Sequence, residues 1–587
     1  MKKAEPLHGA FTCALAAGLF VAGFVHLGMK LWEVQVQNAA QYGSQSVQMS
    51  VRNVKTAGPR GRIVDRHGTP LADNRSALSI VCDPACYQGR GVAETVARLE
   101  KAVARLEEAI GRTSPVGVGA ISNHVMHFER SLPLEVCRDI GERELARFAE
   151  REREFPGFSV VESEERTYPN GALAAHLVGY VGRPKVSRER GYMFVMPELR
   201  GREGLELYYD EYLRGVPGER NLLVDANSYA IREWTVTEAQ RGPDLKLTID
   251  LDVQRAVERQ LSGERGACVV IDPRNGEVLA FASSPTYDPN DCVPFLPYDV
   301  DRRLREDPAK PTLNRASAGT YAPGSTFKPV TALAGLGAGL SADAAYDCVG
   351  AYALGQMRLH CSARWGHGGI DLRHALMKSC NPYFCNLAMT VGTNALVSAA
   401  RALGLGAPTG LDFSPDYAGI VPDAAWKAGR YGEKWFAGDL AQMAIGQGML
   451  LVTPLQMARV AGAIGTGYLA TPHLKLDLSA ERRPLPFPAE HLRIVRDGMR
   501  MVVAGDGEGR GTGWRGGEGV AVAVSGKTGT AEVGMGARRR KNAWFIAYAP
   551  SEDPSVALAL VVENGESGGG TAAPKACEIL KGIFNDR

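Results

Sequence analysis

At 587 residues and 63.0 kDa the chain is too long for one small core and predicts two or three domains. Hydrophobic residues make up 45% and charged residues 22%, an ordinary globular mixture that excludes wholesale disorder. A formal net charge of +2 leaves no electrostatic footprint for nucleic acid.

After Lys2 and Lys3, the run LHGAFTCALAAGLFVAGFVHLGMKLW offers about twenty mostly apolar residues, enough for a hydrocarbon core of about 30 Å. It lacks a persuasive cleavage site. Residues 9–31 therefore read as an uncleaved transmembrane signal anchor and residues 1–8 as a cytoplasmic tail, with the rest of the chain outside the cytoplasm. A buried core helix is the alternative. Polar, Gln-rich residues up to about 65 suggest a stalk. GPRGRIVDRHGTPLADN then reads as a hairpin, and ETVARLEKAVARLEEAI as an amphipathic helix with one solvated face. Nothing in residues 50–240 gathers the polar groups a catalytic site needs, so residues 32–240 read as an elongated structural module.

From about residue 243 the pattern changes. DLKLTIDLDVQRAVERQL runs a strand into a helix, and GACVVIDPRNGEVLAFASSP is two apolar runs around a turn. Residues 312–480 are mainly helical. Strands return in GVAVAVSGKTGTAE, NAWFIAYAP and SVALALVVEN before a closing helix. The expected fold class is α+β: for residues 241–587, an antiparallel sheet flanked by helices.

GTYAPGSTFKPVTALAGL carries the central constellation. Ser325 and Lys328 are three apart, so on a helix they share a face. Pro329 suits a first helical turn, and a serine at a helix start has the positive end of the dipole behind it. A lysine kept neutral by desolvation can take the serine proton. KSCNPYFC places Ser379 and Asn381 around a thiol. In SGKTGTAE, Lys527 and Thr528 offer donors to a carboxylate, and Gly529 leaves room for a substrate backbone. Each tripeptide alone is weak; ordered as Ser-x-x-Lys, Ser-x-Asn and Lys-Thr-Gly in one domain they are strong.

The ordered set resembles the penicillin-binding proteins, and the chain as a whole resembles a class B member, a monofunctional peptidoglycan D,D-transpeptidase. RGRIVDRHGTPLA, RTYPNGALAAHLVGYVG and GLELYYDEYLRG look like motifs of that family's non-catalytic pedestal. GHGGIDLRHAL, GTG and WFIAYAPSEDPSVALALVVENG resemble the branch associated with cell elongation. One departure is GREGLE, where Glu203 stands at a position usually held by a small residue. The resemblance implies that Ser325 attacks the penultimate D-alanine carbonyl of a stem peptide and that Lys328 is the acylation base. Ser379 and Asn381 relay protons and hold the substrate amide, and Lys527, Thr528 and Thr530 receive the terminal carboxylate. Backbone N–H groups of Ser325 and Thr530 form the oxyanion hole. A β-lactam acylates the same serine, and no catalytic cofactor is needed. It further implies a membrane glycosyltransferase partner. The alternatives are a penicillin-recognising sensor or scaffold, or a division or sporulation paralogue with the same chemistry.

Cys348, Cys361, His367 and Cys380 form a second set. Three thiolates with one imidazole suit tetrahedral Zn2+, although their wide spacing is weak evidence alone. The resemblance adds weight, since some members of the branch bind zinc with aspartates where this chain has Cys348 and Cys361. Separate buried thiols or a disulfide are the alternatives, with Cys385, His360 and Asp347 as competing ligands. A structural zinc would turn Cys380 away from the groove while Ser379 and Asn381 face it. Pro382 is expected to disfavour helical geometry at Asn381 and so help end the preceding helix.

Overall fold

The first described element is an apolar helix, Leu7–Trp32, on which Phe11, Leu19 and Phe24 are each about 70% exposed. It is long and apolar enough to cross a membrane. The computed structural model describes residues 7–40, 51–126, 132–182, 194–195, 199–225, 229–479, 481–534 and 540–585. Lys2, Lys3 and residues 41–50 of the Gln-rich segment lie outside them.

The expected stalk is corrected at its C-terminal end. Val51–Thr56 is a strand, paired antiparallel with Gly218–Val224, and Val54 fills a small core with Leu222 and Val224. The hairpin between Ile63–Val64 and Pro70–Cys82 forms as read, with Gly68 at φ +90° and Asp65 Oδ1 accepting from the His67 and Thr69 N–H groups. The helix Val92–Ile110 buries Leu99, Val103 and Leu106 on one side.

The structural module does gather charge, which the sequence did not announce. Arg60 Nε and Arg166 Nε donate to the two carboxylate oxygens of Glu206, both at 2.7 Å, and Arg60 Nη1 reaches Asp210 at 2.8 Å. Glu206 is fully buried. Burial alone would raise its pKa, but the two guanidiniums hold it below the usual carboxylate range. The network ties residues distant in sequence into one frame. Ile63, Leu71, Leu205 and Leu213 then continue into the catalytic-domain core as one apolar cluster. Glu203, the departure noted above, precedes Gly204 at φ +63° and reaches Tyr287 Oη across that same boundary.

The catalytic domain is built on a five-stranded sheet of order β2-β1-β5-β4-β3, antiparallel throughout. Its strands are β1 (Gly266–Ile271), β2 (Val278–Ser284), β3 (Ser525–Val533), β4 (Arg540–Ala549) and β5 (Val556–Glu563). Two strands, a long helical insertion and three strands thus assemble as the sequence predicts. Alternate residues feed two cores. Val269, Trp544 and Ala559 face the insertion, while Val270, Phe545 and Leu560 face the helices α1 (Leu251–Leu261) and α7 (Ala573–Phe584). This two-sided burial explains why the strands read as continuous apolar runs. The insertion contributes α2 (Lys328–Gly337), α3 (Leu372–Met377), α4 (Asn381–Ala402) and α5 (Pro454–Thr466), followed by α6 (Ala489–Ala504).

Candidate active site

The three motifs converge at the exposed side of β3, the edge strand. Ser325 lies in a tight 3-10 turn, Gly324–Phe327, that runs directly into α2, with Pro329 in the first helical turn as expected. Gly324 sits at φ +57°, its N–H bonded to the Gly446 carbonyl at 2.7 Å, and a Cβ there would press on the Thr530 backbone at 3.1 Å. Ser325 itself is half-buried and opens onto the groove.

Lys328 is fully buried, with Nζ 5.5 Å from the centroid of the Phe384 ring. Its three donors all go to the second motif: the Ser379 carbonyl at 2.7 Å, Ser379 Oγ at 3.2 Å and Asn381 Oδ1 at 2.6 Å. Burial pulls the ammonium down to about 8. Lys527, also fully buried, donates to the same Ser379 Oγ at 3.0 Å and to the Thr528 carbonyl at 3.1 Å. Burial, and then the charge of Lys328, lower it well below the ordinary lysine value. Ser379 Oγ is therefore a bridge between two buried lysines whose pKa values burial lowers.

The backbone of the second motif explains how Ser379 gets there. Helix α3 ends at Met377. The Cys380 N–H returns to the Ala375 carbonyl at 2.9 Å and the Ser379 N–H to Leu376 at 3.2 Å, the paired bonds of a Schellman closure. The left-handed position of that closure usually takes glycine; here Ser379 occupies it at φ +56°. Strain of about 1–3 kcal/mol is the general scale for such a residue and clusters at functional sites. The reading of Pro382 is corrected: Asn381 opens α4, with Cys380 as its extended N-cap and Pro382 in its first turn, so the break is made by Ser379 and Cys380. Asn381 Nδ2 donates to the His360 carbonyl at 2.7 Å.

In the third motif, Lys527 pairs with Ile546 and Gly529 with Trp544, and the other side of β3 faces the groove. The role read for Gly529 is corrected. A Cβ there would meet the Pro323 carbonyl at 2.8 Å and Thr326 Cγ2 at 2.9 Å, so the glycine admits the Ser325 turn rather than a substrate backbone. Thr528 is nearly buried. Thr530 is half-exposed, its Oγ1 accepting from the Gly568 N–H at 3.2 Å.

Several supports escaped the sequence reading. Gln447 Nε2 holds the Thr530 carbonyl at 3.3 Å, Trp544 Nε1 holds the Ala322 carbonyl at 3.1 Å, and Tyr321 Oη reaches Glu563 at 2.9 Å. A buried tryptophan needs a partner for its indole N–H, a signal that names no partner.

The second set also comes together. Ligand atoms of Cys348, Cys361, His367 and Cys380 all lie within 4.8 Å of one another. Cys348 ends a short strand paired with Gly368–Ile370, and the His367 N–H bonds its carbonyl at 3.0 Å. Gly366 at φ +87° lets the loop close, since a Cβ there would strike the same carbonyl at 1.8 Å. Cys361 Sγ is 3.5 Å from His367 Nδ1. The hydrogen bond between Cys361 and Cys380 pushes the first thiol down and the second up. Three thiols and one imidazole gathered within 4.8 Å of one another are a donor set that fits Zn2+. Cys380 is fully buried, between the half-buried Ser379 and Asn381. Cys385, His360 and Asp347 fall outside the group; Cys385 Sγ instead donates to the Ala441 carbonyl at 3.6 Å. All eleven cysteines are free thiols.

A helix-flanked antiparallel sheet with these motifs at one edge defines a serine acyl-transfer domain, and comparison with known proteins agrees. Residues 266–581 match the penicillin binding protein transpeptidase domain, and residues 55–247 match the penicillin-binding protein dimerisation domain. The chain belongs to the penicillin-binding protein family. It is 30% identical to the peptidoglycan D,D-transpeptidase MrdA of Escherichia coli K12 over 92% of this chain and 88% of that protein. PBP2 of Helicobacter pylori, solved in complex with MreC, superposes with a TM-score of 0.77 at 27% identity over 91% of this chain and 98% of that one. A chain from a peptidoglycan synthase complex, described for its structural coordination of polymerization and crosslinking, superposes at 0.73 with 29% identity over 98% of both.

Proposed function

We propose that this protein is a peptidoglycan D,D-transpeptidase acting in cell elongation, with Ser325 as nucleophile. The observation that carries the assignment is the pair of buried lysines meeting at Ser379 Oγ beside the Ser325 turn. Neutral Lys328 takes the Ser325 proton as Oγ bonds to the penultimate D-alanine carbonyl carbon. Backbone N–H groups of Ser325 and Thr530 stabilise the oxyanion. The C–N bond then breaks, Ser379 relays the proton held by Lys328 to the departing D-alanine amine, and an acyl-serine ester remains. An acceptor stem-peptide amine displaces Ser325, which recovers its proton. Asn381 holds the substrate amide. Lys527, Thr528 and Thr530 receive the terminal carboxylate, which brings a negative charge to Lys527. A β-lactam acylates the same serine. No catalytic step needs a cofactor.

Cys348, Cys361, His367 and Cys380 hold a structural Zn2+ that fixes the loop behind the second motif. With four protein ligands it has no open position for chemistry. The N-terminal helix anchors the chain in the cell membrane with the catalytic domain outside the cytoplasm, where stem peptides are. A membrane glycosyltransferase supplies the glycan, in keeping with the peptidoglycan synthase complex that the chain resembles.

Labelling with a fluorescent penicillin tests the reading. Wild-type protein takes up one label, and Ser325→Ala takes up none; an unlabelled wild type would favour a scaffold.

A further inference from the structure

The segment joining α6 to β3 carries Gly511, Thr512 and Gly513, wedged between the end of α6 and the third motif. A Cβ on Gly511 would meet the Val502 carbonyl at 2.2 Å, and one on Gly513 would meet Val502, Phe545 and Thr528 side chains at 3.0–3.3 Å. Two glycines at close approach thus bring one hydroxyl to a defined place. Thr512 N–H and Oγ1 both bond the carbonyl of Met377, at 3.2 and 3.3 Å. Met377 is the last residue of α3, two before Ser379. On its other side Thr512 Oγ1 accepts from Thr528 Oγ1 at 2.9 Å. Its own carbonyl lies 2.6 Å from where a Gly569 Cβ would stand, beside the Gly568 N–H that holds Thr530. Thr512 therefore touches the stems of the second and third motifs at once and abuts the anchor of Thr530.

We propose that Thr512 is a positioning residue for the carboxylate subsite: its hydroxyl fixes the rotamer of Thr528 and ties it to the helix end that carries Ser379. Because Thr512 gives its proton to Met377, its oxygen accepts the Thr528 proton in the free groove. An arriving carboxylate then finds a hydroxyl already in place that only has to rotate its O–H. Without Thr512, Thr528 Oγ1 loses its partner and turns freely about χ1. The proposal rests on the assignment of Thr528 to the substrate carboxylate.

The test compares second-order acylation rates for a β-lactam bearing its free carboxylate and for the methyl ester of the same compound. T512V should lose about tenfold on the carboxylate form, the scale of one hydrogen bond to a charged group, and less than about twofold on the ester. T512S, which keeps the hydroxyl, should restore the wild-type ratio. Both ligands report on the same preparation, so the ratio does not depend on the fraction folded, and T512A gives the same readout if T512V is insoluble. Equal loss on both ligands, or a T512S that behaves as T512V does, overturns the proposal. T528V separates the two layers: if T528V also fails to discriminate, the carboxylate assignment is wrong. If T528V discriminates and T512V does not, only the positioning role falls.

Discussion

Arg166 in the pedestal and Lys328 in the groove are both almost wholly shielded from solvent, yet their surroundings are opposite. Arg166 faces the Glu206 carboxylate at 2.7 Å, within a network that also includes Arg60 and Asp210. Lys328 and Lys527 donate to neutral oxygens of Ser379, Asn381 and Thr528, with no carboxylate bonded to either among the described residues. The pedestal neutralises its buried cations and gains a rigid frame. The groove leaves two without a bonded carboxylate, and burial depresses their pKa values, which suits Lys328 to a base and leaves Lys527 for an incoming carboxylate. A buried cation without a counter-ion marks chemistry; one with a counter-ion marks architecture.

Substitutions should pull these regions apart. Lys328→Met should lower acylation by a β-lactam about 10²–10⁴-fold, the range of a lost general base, measured by stopped-flow fluorescence. Its melting temperature should hold or rise, because an unpaired buried charge is removed. Glu206→Ala should do the reverse. It leaves Arg60 and Arg166 buried without a partner and should cost about 3–5 kcal/mol in denaturant unfolding, with the acylation rate of the surviving folded protein nearly unchanged. A melting temperature lowered by Lys328→Met as much as by Glu206→Ala would dissolve the distinction.

Two smaller effects sharpen it. Cys361→Ala should lower zinc content and thermal stability together; unchanged zinc per protein by elemental analysis would reject that ligand set. Ser379→Gly should abolish acylation while gaining up to about 1 kcal/mol of stability, because glycine takes φ +56° without strain. A loss of stability there would show that the Ser379 hydroxyl, not only its backbone, supports the fold.

The motif residues were legible because their partners are near in sequence or belong to short patterns: Ser325 with Lys328, Ser379 with Asn381, Lys527 with Thr530. The sheet strands were legible as short apolar runs between turn signals, and the helical insertion from its length. What stayed hidden depends on distance or on backbone conformation. Arg60 and Glu206 are 146 residues apart, and no local pattern pairs them. Gly529 was read toward the substrate because a strand sequence does not say which side another loop occupies. Pro382 was read as a helix stop because the left-handed turn at Ser379, an uncommon choice for serine, cannot be foreseen from its identity. The cysteine set was legible as chemistry, while its closure depended on Gly366 and a strand pairing seen only in three dimensions.

The pH dependence of acylation tests the uncompensated-lysine account most directly. In the proposed mechanism Lys328 must be neutral to accept the Ser325 proton, and burial lowers it from the ordinary 10.5 to about 8. The second-order rate for a β-lactam whose charge is constant over the range should therefore climb with pH and level off above about 8. In Lys328→Met the residual rate should lose that rise. A wild-type rate still climbing up to the ordinary lysine value, or one with no dependence on pH, would contradict the claim that the groove holds its cations unpaired.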